Sequence, residues 1–418
     1  MKSRRYVIIG GSAAGMAAAQ TIRGHDPRGS ITVLSDEGDA PYFRPMIPFI
    51  ISRKKKADDI FLQGTGPYRA HGIELHLNAR AAGIDTKAKL VITANKGDIP
   101  FDRLLIATGS RPYLPRDISG LDQKGVFALR SLEDARQAAG RAETASHAVM
   151  LGGGLLNLKA AFALLERGIR VTLVVYSPEV LSQLMEPEDA YLIRLALDQA
   201  GLRIITGRSA RRILGDGGGV TGVVLDDGWE LACTMVCIGK GVRPNTGWIE
   251  AEEISVDNGV VVDTYTQSSV PSVFAAGDVA VTFDPISGKP ITTGLWTNAV
   301  EMGRCAGANM AGRATAYGGT FGILNATQVA GMPFVAMGVV HTAGTDLETH
   351  MHRGRDTYRK LVFSADGERL LGAVLIGDIA NAGLYRSVIR DQKRVHGIKQ
   401  QIVGHRLHYG HLLYNRGD

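Results

Sequence analysis

Tyr6-Val-Ile-Ile-Gly10-Gly11-Ser12-Ala13-Ala14-Gly15-Met16-Ala-Ala-Ala19 is the stretch that decides the fold. Val7–Ile9 reads as a short buried strand, Gly10–Gly15 as a turn, Met16–Arg23 as a helix and Ile31–Leu34 as a second strand. Gly10, Ser12 and Gly15 stand at the spacing of a dinucleotide-binding turn, and Asp36 and Glu37 follow about 20 residues beyond Gly15. Serine replaces the usual second glycine. A small residue there still lets the backbone, with Ala13 and Ala14, close on a pyrophosphate whose charge meets the positive amino end of the helix.

The same unit recurs about 140 residues later. Ala148–Leu151 reads as a strand, Gly152-Gly153-Gly154-Leu-Leu-Asn157 as the turn, Leu158–Arg167 as a helix capped by Gly168, and Val171–Val175 as the returning strand. Two such units predict two bound nucleotides.

The chain has 418 residues, enough for about three domains. Hydrophobic residues make up 45% and charged residues 21%, which excludes disordered, collagen-like and coiled-coil classes. Glycine stands out: 52 of 418 residues is about 12%, without a fixed period, which fits tight turns and close backbone approach to ligands. A net charge of +6 suits phosphates or acidic partners but is too thinly spread to imply nucleic acid. The run Arg53-Lys54-Lys55-Lys56 lacks interleaved aromatics and precedes Asp58-Asp59, so it reads as a solvated surface helix.

Met1–Arg5 followed by an apolar run imitates a secretory signal, but the glycine placement assigns it to the nucleotide fold. No run of about 18 apolar residues occurs, so no membrane span is expected and a cytoplasmic location is. Cysteines number three. Cys233 and Cys237 lie in Leu231–Ile238, read as one strand, which sets them about 13 Å apart and too far for a disulfide. No metal site is expected. The histidines of His405-Arg-Leu-His408-Tyr-Gly-His411 lack an accompanying carboxylate or cysteine and read as a surface or interface helix.

Beyond Gly318, Asn325–Val340 and Tyr358–Ile376 alternate like antiparallel strands, with Asp366-Gly367 a hairpin turn. Gly383–Asp391 reads as a helix, and a basic tail follows from Gln392.

Further segments carry a family resemblance. Leu104-Leu-Ile-Ala-Thr108-Gly109-Ser-Arg111-Pro112 resembles the passage from a flavin domain to a nucleotide domain, and Cys237-Ile-Gly239-Lys-Gly-Val-Arg243-Pro244-Asn245 resembles the return. Thr266–Asp278 resembles the second flavin fingerprint. With both glycine turns they resemble the pyridine nucleotide–disulfide oxidoreductase superfamily over nearly the whole chain. Pro41-Tyr42-Phe-Arg44-Pro45-Met46, Leu295-Trp296-Thr-Asn298 and Gly377-Asp378 resemble its branch of NADH:rubredoxin reductases and nitrite reductase flavin subunits.

The resemblance implies an α/β protein with two Rossmann-like three-layer nucleotide-binding domains plus a C-terminal α+β domain. The expected boundaries are 1–112 with 247–318 for FAD, 113–246 for NAD, and 319–418 for a C-terminal interface domain with its basic tail. FAD is expected on Gly10, Ser12, Ala13, Ala14, Gly15, Asp36 or Glu37, Arg44, Pro45, Ala81, Thr108, Gly109, Arg111, Arg130, Gly277, Asp278 and Trp296. Asp278 is expected to hold the ribityl hydroxyls. NAD is expected on Gly152, Gly154, Asn157 and Gly239.

Two departures shape the expected function. Thiol-dependent relatives carry a redox cysteine in the loop occupied here by Arg44-Pro45-Met46, and none of the three cysteines lies there. Electrons therefore enter or leave the flavin directly, and the implied partner is a one-electron iron–sulfur or rubredoxin-type protein, since the chain has no cysteine cluster of its own. The second motif carries Asn157 at its third glycine, Lys159 where an acid is usual and Val175 where an acid takes the ribose hydroxyls. This leaves open NAD binding after local repacking, an altered nucleotide preference, or a vestigial site. No arginine cluster follows Val175, and Tyr176-Ser177 can serve the ribose, which favours NAD over NADP.

In relatives the acid at position 159 points between nicotinamide and flavin. A lysine there favours negative charge on the reduced ring, unless it simply reaches from its helix to water. The expected activity is FAD-dependent transfer between NAD(H) and the carrier, by hydride transfer between nicotinamide and flavin N5. Such flavin subunits accompany complexes that include tungsten aldehyde oxidoreductases, so a homodimer or a subunit of a hetero-oligomer is expected. The competing readings are a non-catalytic FAD-bound assembly subunit and a free-standing NADH oxidase making peroxide.

Overall fold

The structure, a computed structural model, describes residues 3–250 and 252–414. The chain folds as two compact units. One is built from Met1–Tyr113, Arg130–Glu133 and Gly241–Thr320, the other from Leu114–Leu129, Asp134–Lys240 and Phe321–Asp418.

The first unit centres on a five-stranded parallel sheet in the order Val273–Ala275, Arg103–Ile106, Arg5–Ile9, Ser30–Leu34, Ile73–His76. Its inner strands are buried on both faces, hence the uninterrupted Tyr-Val-Ile-Ile run. From Arg5–Ile9 the chain first moves to one side of the sheet and later returns to the other, so a topological switch point lies between Arg5–Ile9 and Arg103–Ile106. Ligands of such sheets bind at the carboxyl ends of the strands there.

The first helix spans Ala13–His25 and packs on Trp296–Met310. Small residues set this contact: a Cβ on Gly303 would lie 2.2 Å from the Ala14 carbonyl oxygen, and one on Gly307 2.6 Å from that of Ala18. The backbones touch because no side chain separates them. The segments that leave and re-enter this unit, Ser110–Pro112 and Val242–Pro244, pair antiparallel.

The second unit repeats the plan with the parallel order Arg203–Thr206, Arg170–Val175, His147–Leu151, Met235–Ile238, Val126–Phe127. Its switch point lies between His147–Leu151 and Met235–Ile238. The same unit contains a five-stranded antiparallel sheet ordered Leu324–Val329, Met332–Gly338, Leu370–Ile376, Tyr358–Phe363, Glu348–Arg353, with the helix Ala382–Asp391 packed on it.

A buried ionic cluster lies beside this sheet. Lys360, 1% exposed, donates to Glu186, to Asp189 at 3.4 Å and to the Val340 carbonyl at 3.1 Å. Glu186 also accepts the backbone N–H groups of Thr342 at 2.7 Å and Ala343 at 2.8 Å. Burial alone would raise the Glu186 pKa, but Lys360 and these two N–H groups hold it near 2, against an ordinary 4.5. A carboxylate depressed in the folded state stabilises above its unfolded pKa and loses that contribution as pH falls through the folded one. Acid titration followed by circular dichroism should therefore show on the order of 3 kcal/mol of stability lost between pH 4.5 and 2, and Glu186→Gln should remove that slope.

Several sequence expectations are corrected. Both nucleotide helices start three residues early, at Ala13 and Leu155, because neither start carries a side-chain cap to mark it. Leu231–Ile238 is two strands, Glu230–Ala232 and Met235–Ile238, that belong to different sheets. The run 53–56 is a turn after the helix Ile47–Ile51, with Arg53 at φ +61°.

Glu348–Arg353 is an edge strand whose polar sequence gave no signal. The tail forms the short helices Lys399–Val403 and Tyr409–Tyr414, with His405 and His408 in the link. His405 bonds Tyr385 at 2.9 Å and Asp378 at 3.0 Å, and His408 stacks on His411. Residues 1–2 of the signal-like start and 415–418 of the tail lie outside the described residues. No described helix is long and apolar enough to cross a membrane.

Candidate active site

Each switch point is closed by the same device. After Ile9, Gly10 turns at φ +122°, and a Cβ there would lie 2.0 Å from the Ala107 carbonyl oxygen. After Leu151, Gly152 turns at φ +107°, and a Cβ there would lie 2.4 Å from the Gly239 carbonyl oxygen. Only glycine fits either position. Gly15 is equally confined, its added Cβ falling 1.9 Å from the Gly10 oxygen.

Ser12 is the N-cap residue of the first helix, and its hydroxyl makes no capping bond. The leading N–H groups, on Ala13, Ala14 and Gly15, have no acceptor within the helix. Together with the helix dipole they form a donor set suited to a pyrophosphate.

Around this turn, cations and carboxylates alternate. Glu37 accepts the Tyr42 hydroxyl and an Arg44 N–H, both at 2.6 Å. Asp36, in contrast, is exposed. Arg44 also donates to the Arg130 carbonyl at 2.7 Å and lies over the Tyr42 ring. Burial opposes the Arg44 charge, yet Glu37 and then Tyr42 outweigh it and hold its pKa above the ordinary value. Burial likewise pushes the Tyr42 hydroxyl up, so it stays protonated as the donor to Glu37. Pro45 sets the short helix Arg44–Met46 that presents Arg44.

Arg130 donates to Asp278 at 2.6 Å and to the Ser110 carbonyl at 3.1 Å, and the Ser110 hydroxyl donates to Asp278 at 2.8 Å. Both bonds to Asp278 end on Oδ2, which leaves Oδ1 to accept a ligand hydroxyl. Gly277, at φ +82°, brings Asp278 to the first helix, and a Cβ there would lie 3.1 Å from the Ala14 methyl. Thr108 and Gly109 are tied to Asn245, and exposed Arg111 reaches the Pro244 carbonyl at 3.3 Å. Trp296 opens its helix, edge-on to Phe43 with ring centroids 4.9 Å apart. Ala81 is buried in the hydrophobic core at the start of the strand Ala81–Asp85. The sequence did not separate Glu37, already committed to Tyr42 and Arg44, from Asp36, and it missed Ser110 as an anchor for Asp278.

In the second unit, Gly154 caps the helix Leu155–Leu165 with open space where a side chain would stand. Asn157 is buried in the first turn, and its amide donates to the carbonyls of Leu151 at 3.1 Å and Gly152 at 2.7 Å. The amide fills the volume over Gly239 and satisfies two carbonyls of the turn, which is a local repacking that leaves the turn intact. Lys159 is half-buried on this helix, and burial lowers its pKa. Val175 is buried at its strand end, and Tyr176 is 74% exposed.

All three cysteines are free and buried. Burial pushes Cys233 and Cys237 up to about 12 and Cys305 up to about 11, so none supplies a thiolate near neutral pH. Among the described residues no cluster of His, Cys, Asp and Glu could hold a metal ion.

A glycine cradle, free helix N–H groups and an available Asp278 oxygen fit FAD in the first unit, and the Gly152–Gly154 cradle fits a second dinucleotide. Comparison with known proteins agrees. Residues 4–303 match the family described as pyridine nucleotide-disulphide oxidoreductase. The nitrite reductase [NAD(P)H] large subunit of Klebsiella oxytoca is 30% identical over 86% of this chain, which spans only 37% of that protein. Subunit epsilon of the NADH-dependent phenylglyoxylate dehydrogenase of Aromatoleum evansii is 27% identical over 99% of this chain and 97% of its own length. The crystal structure of the ferredoxin reductase for the CYP199A2 system of Rhodopseudomonas palustris superposes with a TM-score of 0.85 at 26% identity, covering 94% of this chain and 96% of that one. The chain belongs to the pyridine nucleotide-disulphide oxidoreductase family: it is an oxidoreductase of two Rossmann-like domains whose cofactors are FAD and a pyridine nucleotide.

Proposed function

We propose that the chain passes electrons between NAD(H), bound at Gly152–Gly154, and a separate one-electron iron–sulfur or rubredoxin-type protein, through FAD bound at Gly10–Gly15. The observation that carries this reading is the pairing of two formed nucleotide cradles with three buried, protonated cysteines, none of them in the 41–48 segment. FAD, when bound, supplies the conversion of a two-electron hydride into single electrons.

The protein's own residues bind and orient. The N–H groups of Ala13–Gly15 hold the pyrophosphate, exposed Asp36 takes the adenosine ribose, and Asp278, fixed by Arg130 and Ser110, accepts the ribityl hydroxyls. Arg44 and Glu37 brace the loop around Pro45. Trp296 and Asn298 place a helix amino end toward negative charge on the ring. The domain boundaries follow the same reading: 1–112 with 247–318 for FAD, 113–246 for NAD, and 319–418 as an interface domain of a homodimer or a larger complex. The likeness to a subunit of a dehydrogenase complex over almost its whole length supports the second assembly.

Lys159 has no ion-pair partner among the described residues, and burial already disfavours its charge. A negative charge beside it relieves that cost. Lys159→Met should therefore lower the flavin reduction potential, by about 30–60 mV for roughly a tenfold to hundredfold change in the two-electron equilibrium. Dye-equilibration potentiometry reads this directly, and an unchanged potential refutes the role.

The functional reading is tested with purified FAD-loaded protein, NADH and added ferredoxin or rubredoxin. Carrier reduction should outpace oxygen consumption. Oxygen consumed as fast without a carrier would mark an oxidase, and flavin left unbleached by NADH under anaerobic conditions would mark a scaffold.

A further inference from the structure

We propose that Glu186 and Lys360 form a positioning pair for the dinucleotide: the C-terminal antiparallel sheet, through this pair, holds the segment 176–190 against the turn 152–154. The inference rests on that turn being the NADH site.

The segment reaches the turn at Leu181, whose N–H donates to the Gly153 carbonyl at 3.0 Å. Gly153 is confined on that side, because a Cβ would lie 3.1 Å from both Val175 methyl carbons and 3.3 Å from the Val180 Cα. Leu181 is buried, 3% exposed, yet sits at φ +54°. A left-handed conformation costs a branched apolar residue stability, and it persists only where its surroundings impose it.

The surroundings are found five residues on. The N–H groups of Leu184 and Met185 close on the Leu181 carbonyl at 2.7 and 3.2 Å, and Met185 is 1% exposed. Glu186 follows directly. Its carboxylate is bonded by Lys360, Thr342 and Ala343 of the C-terminal region. The anchorage continues beyond it: Tyr358 donates to Asp189, Arg353 donates to the Glu188 carbonyl at 3.1 Å, and the Glu186 N–H donates back to Asp189 at 3.1 Å.

One short tether therefore runs from the nucleotide turn to the inner strand Tyr358–Phe363 of the sheet. A tether only five residues long reaches at most about 17 Å, so loosening its anchored end frees the other. The loss falls on ground-state binding of the dinucleotide, since neither Glu186 nor Lys360 lies at the turn itself.

The test uses the full FAD-loaded chain, with ferricyanide as acceptor. Glu186→Gln leaves the buried Lys360 cation with Asp189, at 3.4 Å, as its remaining carboxylate and should lower the melting midpoint as well as weaken binding. The double variant Glu186→Gln/Lys360→Met removes this pair and leaves Asp189 to the Tyr358 hydroxyl and the residue-186 N–H, so it should regain part of that stability. In both, KM for NADH is expected to rise about tenfold while kcat at saturating NADH and the flavin content stay within about twofold of the parent. A double variant that folds with full flavin content and keeps its KM within about twofold overturns the proposal, because the cluster is then structural only. A parent flavin that NADH does not reduce instead overturns the assignment of the turn itself.

Discussion

Gly10→Val should leave a protein that folds its second unit but no longer retains flavin. The substitution fails twice over: a β-branched residue is strained at φ +122°, and its Cβ alone would lie 2.0 Å from the carbonyl oxygen of Ala107, just past the neighbouring strand. The turn must move, and with it the N–H groups of Ala13–Gly15 that meet the pyrophosphate. Displacing several charge-assisted hydrogen bonds at once weakens binding by at least about 3 kcal/mol, or more than a hundredfold. Flavin absorbance per protein after gel filtration measures this. Stoichiometric flavin in the variant would mean that FAD does not sit on this turn.

Asp278→Ala should produce the second largest effect. The substitution removes the carboxylate whose free oxygen is assigned to the ribityl hydroxyls, and it takes the carboxylate acceptor at 2.6 Å from the Arg130 guanidinium, which is one quarter exposed. Truncating one member of a hydrogen-bonded charge pair costs about 2–5 kcal/mol, so FAD should dissociate about 30-fold to several-thousand-fold more readily. Asp278→Asn keeps an oxygen acceptor but not the charge, and should fall between the two. Fluorescence titration of apoprotein with FAD gives the three affinities. Equal affinities for parent and alanine variant would remove Asp278 from the site.

The two nucleotide turns were legible because their geometry demands glycine: Gly10, Gly15 and Gly152 each face a backbone oxygen that no Cβ could approach. The second fingerprint was legible for the same reason, since Gly277 turns at φ +82° beside Ala14. Helix starts were not, because Ala13 and Leu155 follow residues that make no side-chain cap, and an alanine-rich stretch propagates helix in either direction.

Asn157, at the usual third glycine of the second motif, left local repacking, altered preference and a vestigial site all open. Its amide bonds to two turn carbonyls can be seen only once the helix is known to begin at Leu155, with Asn157 in its first turn. The strand Glu348–Arg353 was missed because an edge strand pairs on one side only and tolerates polar side chains. The Glu186–Lys360 pair was beyond reach of local reading, because its members lie 174 residues apart and Lys360 sits in a strand whose alternation implied nothing about a partner.

The absence of a sulfur relay is most directly tested by an anaerobic NADH titration of the FAD-loaded protein, with free thiols counted after denaturation at each point. Each NADH carries one hydride, so a flavin acting alone should bleach fully at about one equivalent, with the count constant at three thiols. Bleaching that needs about two equivalents, with new thiols appearing on the way, would reveal a reducible disulfide between flavin and acceptor and contradict the account.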